Sequence, residues 1–279
     1  MVTSIKKLIL IILLPVGFGF YPINSQAQLY VGPVLETQVT TAAFFNQSDK
    51  DGYRCNPGPG YRLGFTASKR VKNHFIFDVG LQYAHKQLNI KSVADPLLKI
   101  KNNFNYIEIP ILYTLEFREH LGKKKAGISK DYEVFAGAGP VISYWLNSNG
   151  TIASSSLKEI LISQLAYKAK FNYNEQDPAS ATDQNGMYVS DANRFQFALQ
   201  LVGGVSFEPL GLQKIVVTGK VEIGQTRFTK QNAGYLPADF VEQIPLKSRP
   251  ISFGINVAYL FNTKYEDSRK GKSTEKKRK

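Results

Sequence analysis

The sequence predicts an all-β fold: an eight-stranded antiparallel up-and-down transmembrane β-barrel with short periplasmic turns and long extracellular loops. Three observations lead there. The first residues are laid out like an export signal. The remainder alternates apolar and polar residues with a period of two. The polar half of that alternation is built from small side chains with few charges, which suits a narrow lumen better than a water-facing surface.

The N-terminus sets the compartment. Lys6 and Lys7 precede an apolar run from Leu8 to Phe20, and Asn24-Ser25-Gln26-Ala27 follows. A positive start, an apolar middle and small residues near a cut are the features of a secretory signal peptide, so 1–27 is read as one, cleaved after Ala27. The run is short for a span of about 20 residues and is interrupted by Pro15, Gly17 and Gly19. No cysteine stands at the cut to carry a lipid. Downstream, no stretch approaches about 18 consecutive apolar residues, so no helical span is expected. Cys55 is the single cysteine and cannot close an internal disulfide; it reads as an incidental loop residue.

The strands follow in order over 28–261. Leu29 to Val39 forms the first. Tyr61, Leu63, Phe65 and Ala67 alternate with Arg62, Gly64 and Thr66 in the second. Phe75, Phe77, Val79, Leu81 and Tyr83 mark the third, and Ile107 through Phe117 at every second position the fourth. Tyr132 to Leu146 is rich in Gly and Ala, with Gly137 and Gly139 on one face. Phe195 to Phe207, Ile215 to Ile223 and Ile251 to Phe261 complete eight. Alternation of this kind means strands with one apolar face. Each is long enough for the roughly 9–11 residues of a tilted transmembrane strand.

A soluble lipocalin-like barrel or sandwich also alternates, but its water-facing positions carry many more Lys and Glu residues. Here the polar face is mostly Gly, Ala, Ser, Thr and Gln. Its charges are Arg62, Asp78, Glu108, Glu116, Glu133, Lys220 and Glu222. Carboxylates and cations confined to a small lumen are expected to pair structurally, because burial penalises a lone charge. The apolar face, with Tyr and Phe near strand ends, suits lipid and its aromatic girdles.

With the N-terminus placed in the periplasm, the outer links fall at about 40–58, 87–103, 147–193 and 227–247. The periplasmic links fall at 69–74, 118–131 and 209–213, and both termini are periplasmic. Of the net charge of +13, the +11 that remains once Lys6 and Lys7 are removed concentrates on that side. Lys69, Arg70 and Lys72 lie in the first turn, Lys123, Lys124 and Lys125 in the second, and a basic, disordered tail occupies 262–279. These residues would meet anionic lipid heads or an acidic periplasmic partner. Export excludes nucleic acid as a partner. In the longest link, Ser156 followed by Glu159 fits a capping box, and Leu157, Ile160, Leu161 and Leu165 recur at helical spacing. A short amphipathic helix is expected from Ser156 to Lys170. It could plug the mouth, lie on the leaflet or meet a partner.

Catalytic signals are weak. His74, His85 and His120 have no metal-ligand partners at useful spacing, and no Ser-nucleophile motif accompanies His85. No catalytic residue, metal or cofactor is expected.

Tyr106-Ile107-Glu108-Ile109-Pro110 resembles the "Y-x-E-I-P" strand of PorT-like outer-membrane barrels common in Bacteroidota. Phe135-Ala136-Gly137-Ala138-Gly139-Pro140 resembles their following "F-x-G-x-G-P" strand, and Gly203-Gly204-Val205 their glycine-bearing strand after the long loop. The resemblance covers essentially the whole mature chain. It implies an eight-stranded barrel without catalytic residues, and a namesake member needed for type IX protein secretion. Two classes of function remain. One is an accessory or structural subunit of an envelope machine for secretion or outer-membrane assembly, touching other envelope proteins through the turns, the tail or the loop from Asn147 to Asn193. The other is a stand-alone surface-binding barrel or narrow pore. A lipid-modifying enzyme is a distant third.

Overall fold

The structure is a computed structural model that describes residues 29–72, 74–120, 131–171, 185–189, 191–208, 213–230 and 244–263. The signal peptide over 1–27, Lys123, Lys124 and Lys125, and the tail beyond 263 lie outside the described residues. In chain order the elements are β1 (Leu29–Phe44), α1 (Gln47–Gly52), β2 (Tyr53–Lys72), β3 (Phe75–Ser92), β4 (Lys99–His120), β5 (Asp131–Ala153), α2 (Ser155–Glu159), β6 (Leu165–Phe171), β7 (Gly186–Val189), β8 (Phe195–Phe207), β9 (Gln213–Gly224) and β10 (Ser248–Asn262).

Eight of these strands form a ring in the order β1-β2-β3-β4-β5-β8-β9-β10, each antiparallel to its neighbours. β10 closes on β1 from Tyr30↔Asn262 to Phe44↔Ser248. Closure is what hydrocarbon demands, since lipid offers no partner to a free backbone edge. Residues of one parity face inward on every ring strand. Even positions do so on seven strands, although on β2 a register shift between Pro57 and Tyr61 turns the odd positions Tyr53 and Cys55 inward at its outer end. On β5 it is the odd positions as far as Trp145, and a register shift opposite Asn105/Tyr106 then resets them to even. The outward positions form a continuous apolar band in which Leu35, Phe65 and Ile255 remain more than 60% exposed. Such exposure is unfavourable in water and natural against lipid tails. Aromatic rings edge the band at both rims: Tyr61, Tyr83, Tyr144 and Phe195 at one, Phe77, Tyr113, Phe117, Tyr259 and Phe261 at the other. No described helix is long and apolar enough to cross a membrane.

The links at the long-strand end differ from the sequence reading. β1 runs on to Phe44 and β2 already begins at Tyr53. β3 reaches Ser92, β4 begins at Lys99, and β5 continues to Ala153. Much of what was read as loop at 40–58, 87–103 and 147–153 is therefore strand. The reason is an inversion of pattern. Beyond the band the outward positions turn polar (Gln87, Asn89, Lys101, Asn103, Asn149), while the inward ones turn apolar (Leu88, Ile90, Ile100, Phe104, Ile152). Pairing continues because those inward side chains have a core to join.

The expected helix from Ser156 to Lys170 is also corrected. α2 covers only Ser155–Glu159, capped by Ser154, whose hydroxyl accepts from the Leu157 N–H. The chain then turns through Leu161, at φ 62°, and Leu165–Phe171 becomes β6, pairing with Asn149 to Ile152 of β5. The free edge of β5 offers backbone partners to a whole strand, and alternation sends Tyr167 inward, so the edge outweighs the local helical spacing. β7 adds in parallel to β6.

The wall is tall on the β2–β5 side and low where β8 and β9 end. From the low side, Phe228, Ile244 and Leu246 fold into the mouth. There they meet Phe104, Tyr106, Trp145, Met187, Val189 and Leu157 in one buried apolar cluster. Phe104 stacks on Phe228 at 4.6 Å, and Trp145 meets Phe171 edge-on at 4.8 Å.

Asp95 fastens this outer structure from the β3–β4 connection. Its carboxylate accepts from the Ser155 N–H (3.0 Å), the Ser155 hydroxyl (2.7 Å) and the Leu97 N–H (2.9 Å). The bonds from Ser155, backbone first and then hydroxyl, hold its carboxyl below the usual aspartate range. A depressed folded-state pKa adds stability above the unfolded value of about 3.9, and that stability is lost as pH falls through the folded value. Asp95→Asn is therefore expected to increase amide exchange of the 93–98 and 154–159 backbone at pH 7. The difference from wild type should shrink and vanish as the pH falls through the depressed folded-state value, and a pH-independent difference would contradict the role assigned to the carboxylate.

Candidate functional site

The candidate site is the lumen, which four layers fill in succession. Nearest the end that bears the turns, β2 and β9 bring Arg70 and Lys214 between Glu116 of β4 and Glu133 of β5. Lys214 donates to Glu116 and, at 2.8 Å, to Glu133, while Arg70 pairs with Glu116 and lies 3.2 Å from Glu133. The Ser206 hydroxyl lies between both carboxylates, 3.3 Å from Glu116 and 3.5 Å from Glu133, and can donate to either. The register explains the gathering: Glu133 is opposite Ser206 and Glu116 opposite Phe135, so acids from neighbouring strands share one level.

Above this lies a cavity of about 80 Å³, lined in part by Asp78, Thr66, Thr114, Thr218, Gln200 and Asn256. Thr114 donates to Asp78 at 3.4 Å. Phe135 enters the lumen at this height. It fits because Gly204 faces it on β8, where a Cβ would stand 2.8 Å from the ring.

The third layer is the tightest. Arg62 of β2 is 1% exposed, and its guanidinium faces three carboxylates. It meets Glu36 at 2.8 Å and Glu108 at 2.6 Å, and it donates to Glu222. Lys86 bridges Glu108 (2.7 Å) and Glu222 (2.6 Å), and Lys220 pairs with Glu36. Three cations thus face three acids, so the layer is neutral as a unit. Neutrality matters because charges taken out of water are tolerated only when well matched. Gly254 on β10 leaves the space Glu36 needs, since a Cβ there would meet its Oε1 at 2.5 Å. The fourth layer is the apolar cluster of the mouth, joined to the third by Lys86, whose ammonium lies 5.2 Å from the Tyr106 ring centroid.

The residues singled out from sequence are distributed as follows. Arg62, Glu108, Lys220 and Glu222 meet in the third layer, and Glu116 and Glu133 in the first. Asp78 is inward and, among the described residues, hydrogen-bonded rather than ion-paired. Arg70, read as a partner or lipid contact in the first turn, instead turns into the lumen, because it shares the parity of Arg62 and two acids await it there. Lys69 is exposed on the outer side, and Lys72 is the last residue of β2. Sequence reasoning missed Glu36, Lys86 and Lys214. Extending the same parity along β1, β3 and β9 would have found all three. His85 stacks on Tyr61 at 5.2 Å and contacts Asn105 at 2.8 Å, an interfacial rather than catalytic setting. Among the described residues no group of three or more His, Cys, Asp or Glu side chains is placed to hold a metal.

Replacing Arg62 with Met would leave three buried carboxylates facing only Lys86 and Lys220, with one negative charge uncompensated. A loss of about 3–5 kcal/mol is expected in urea unfolding from lipid vesicles. Arg62→Lys should recover only part of it, because an ammonium cannot present the planar fork.

A family model described as "Outer membrane protein beta-barrel domain" matches residues 26–228. No curated protein matches the chain in sequence. Solved structures it resembles include Neisserial surface protein A, 10% identical, covering 85% of this chain and 99% of that one with a TM-score of 0.37. The outer membrane protein OprG from Pseudomonas aeruginosa is 10% identical, with 84% and 95% covered and a TM-score of 0.40. Ail, the attachment invasion locus protein of Yersinia pestis, is 10% identical, with 83% and 98% covered and a TM-score of 0.35.

Proposed function

The chain belongs to the outer membrane protein beta-barrel domain family, and we propose that it is a non-enzymatic, non-conducting barrel serving as an accessory or structural subunit of an envelope protein machine, in type IX secretion or outer-membrane assembly. One observation carries this reading: the lumen is filled by two matched charge layers and an aromatic plug. A barrel with a filled lumen and, among the described residues, no catalytic constellation acts through its surfaces. The PorT-like strand around Glu108 and Pro110 points the same way, and it is that strand's glutamate that the third layer uses.

In this reading the turn end, with both termini, faces the periplasm. Lys69 and the basic second turn with Lys123, Lys124 and Lys125 meet an acidic envelope partner there. The tall extension of β3, β4 and β5 beyond the band favours a second reading, a stand-alone barrel that binds at the cell surface.

Affinity purification from detergent extracts at natural expression levels separates the two. Other envelope proteins should co-purify in fixed proportion, and a barrel that emerges alone removes the machine. In planar bilayers the purified protein should show no steady ion conductance. A stable conducting state would contradict the sealed lumen.

A further inference from the structure

The outer wall beyond the aromatic rim is a regular grid, and its rows can be read from the strand registers. The first row above Tyr83 and Tyr144 is His85, Asn105 and Asn147. The next is Gln87, Asn103, Asn149 and Lys168, and above it Asn56, Asn89, Lys101 and Thr151. The last is Arg54, Lys91 and Lys99. All these side chains share the outward face, and Arg54, Lys91, Lys99, Lys101 and Lys168 are exposed. Their rows contain no acid. Among the described residues no ion pair reaches any of the five cations. Among the described residues the acids at this end are Asp49 and Asp51 of α1, Asp95, Glu159 and Asp191. Asp51 already accepts from Gln47, and Asp95 from Ser155.

Arg54, Lys91 and Lys99 stand directly abreast on three adjacent strands. Like charges facing one another across strands destabilise a sheet. An arrangement of that kind is relieved by an anion. Between β4, β5 and β6 the same face opens a cleft of about 550 Å³, with Asn103, Asn149, Thr151 and Lys168 on its walls. Amides, a hydroxyl and an ammonium are the groups that bind sugar hydroxyls and phosphate.

We propose that this face binds the phosphorylated saccharide head of an outer-leaflet glycolipid, with the cleft holding sugar and the lysine rows holding phosphate. Position selects this occupant over a soluble polyanion. The grid continues the lipid-facing side of the wall and does not look into the mouth, so its ligand stands beside the barrel as a headgroup does. At a rise of about 3.4 Å per residue and a tilt of about 40°, the lysine-bearing rows lie on the order of 10–20 Å beyond the aromatic rim, the height of a glycolipid head. The inference rests on the orientation given above, with the turn end periplasmic.

The test compares the wild-type protein with Lys91→Gln/Lys99→Gln/Lys101→Gln/Lys168→Gln, both in detergent and both checked for heat-modifiable gel mobility. The probes are rough lipopolysaccharide, the same material stripped of phosphate, and dextran sulfate. The wild type should bind the phosphorylated glycolipid about tenfold or more tightly than the stripped form. That preference should disappear in the variant, and in about 1 M salt, where screening acts within about 3 Å. Equal binding by wild type and variant overturns the proposal. Tighter binding of dextran sulfate than of glycolipid overturns it in favour of a soluble polyanion. If the fourfold variant does not fold, Lys99→Gln/Lys101→Gln gives the same readout. Orientation is read separately: Asn149→Cys in a Cys55→Ser background should react with a membrane-impermeant maleimide on intact cells. Labelling only after permeabilisation would refute the orientation itself, an outcome distinct from failed glycolipid binding.

Discussion

Ring closure between β1 and β10 is the constraint on which the rest of this structure depends. Hydrocarbon satisfies no N–H or C=O group, so the sheet has to end where it began. Once eight strands close, the lumen is narrow, and every second residue of each strand must fit inside it. The ring is therefore what brings Glu36, Arg62, Lys86, Glu108, Lys220 and Glu222 together from five different strands. In an open sheet those side chains would face water and pair weakly. Inside the ring they must match or be expelled.

The inward face then divides by height. Within the apolar band it is polar and charged, and beyond the band it is apolar and aromatic. The outward face does the opposite, lipid-facing first and then amide-rich. Each inversion follows from what lies on the far side of the wall. Where the outside is hydrocarbon, the inside carries the polar groups. Where the outside is water, the inside becomes an ordinary protein core, with Trp145 and Phe104 fully buried. A membrane protein and a small soluble sandwich are in effect stacked along the same strands, and the Asp95–Ser155 contact belongs to the second of them.

The band, its strand count and its parity were legible in the sequence because a period of two survives along each strand regardless of neighbours. Four of the six charges in the third layer were legible for the same reason. Glu36 and Lys86 were not. Glu36 sits on a first strand whose alternation is broken by Gly32 and Pro33, and Lys86 stands just where the outward face loses its apolar character. Arg70 was assigned to a turn because it follows Lys69 in a basic run. Only the register opposite Ile76 shows it sharing a face with Arg62. The helix expected from Ser156 failed for a non-local reason: an unpaired edge of β5 was waiting for Leu165–Phe171.

By itself the sequence determined which residues alternate, which positions can tolerate lipid and which short side chains leave a lumen for others to fill. These are properties of a strand and its immediate solvent. The tertiary structure alone decided which carboxylate meets which cation, how far the strands climb past the membrane, and what closes the mouth. Those outcomes depend on register between segments far apart in the chain. Glu222 and Arg62 are 160 residues apart, yet they touch only because ring closure sets them at one height.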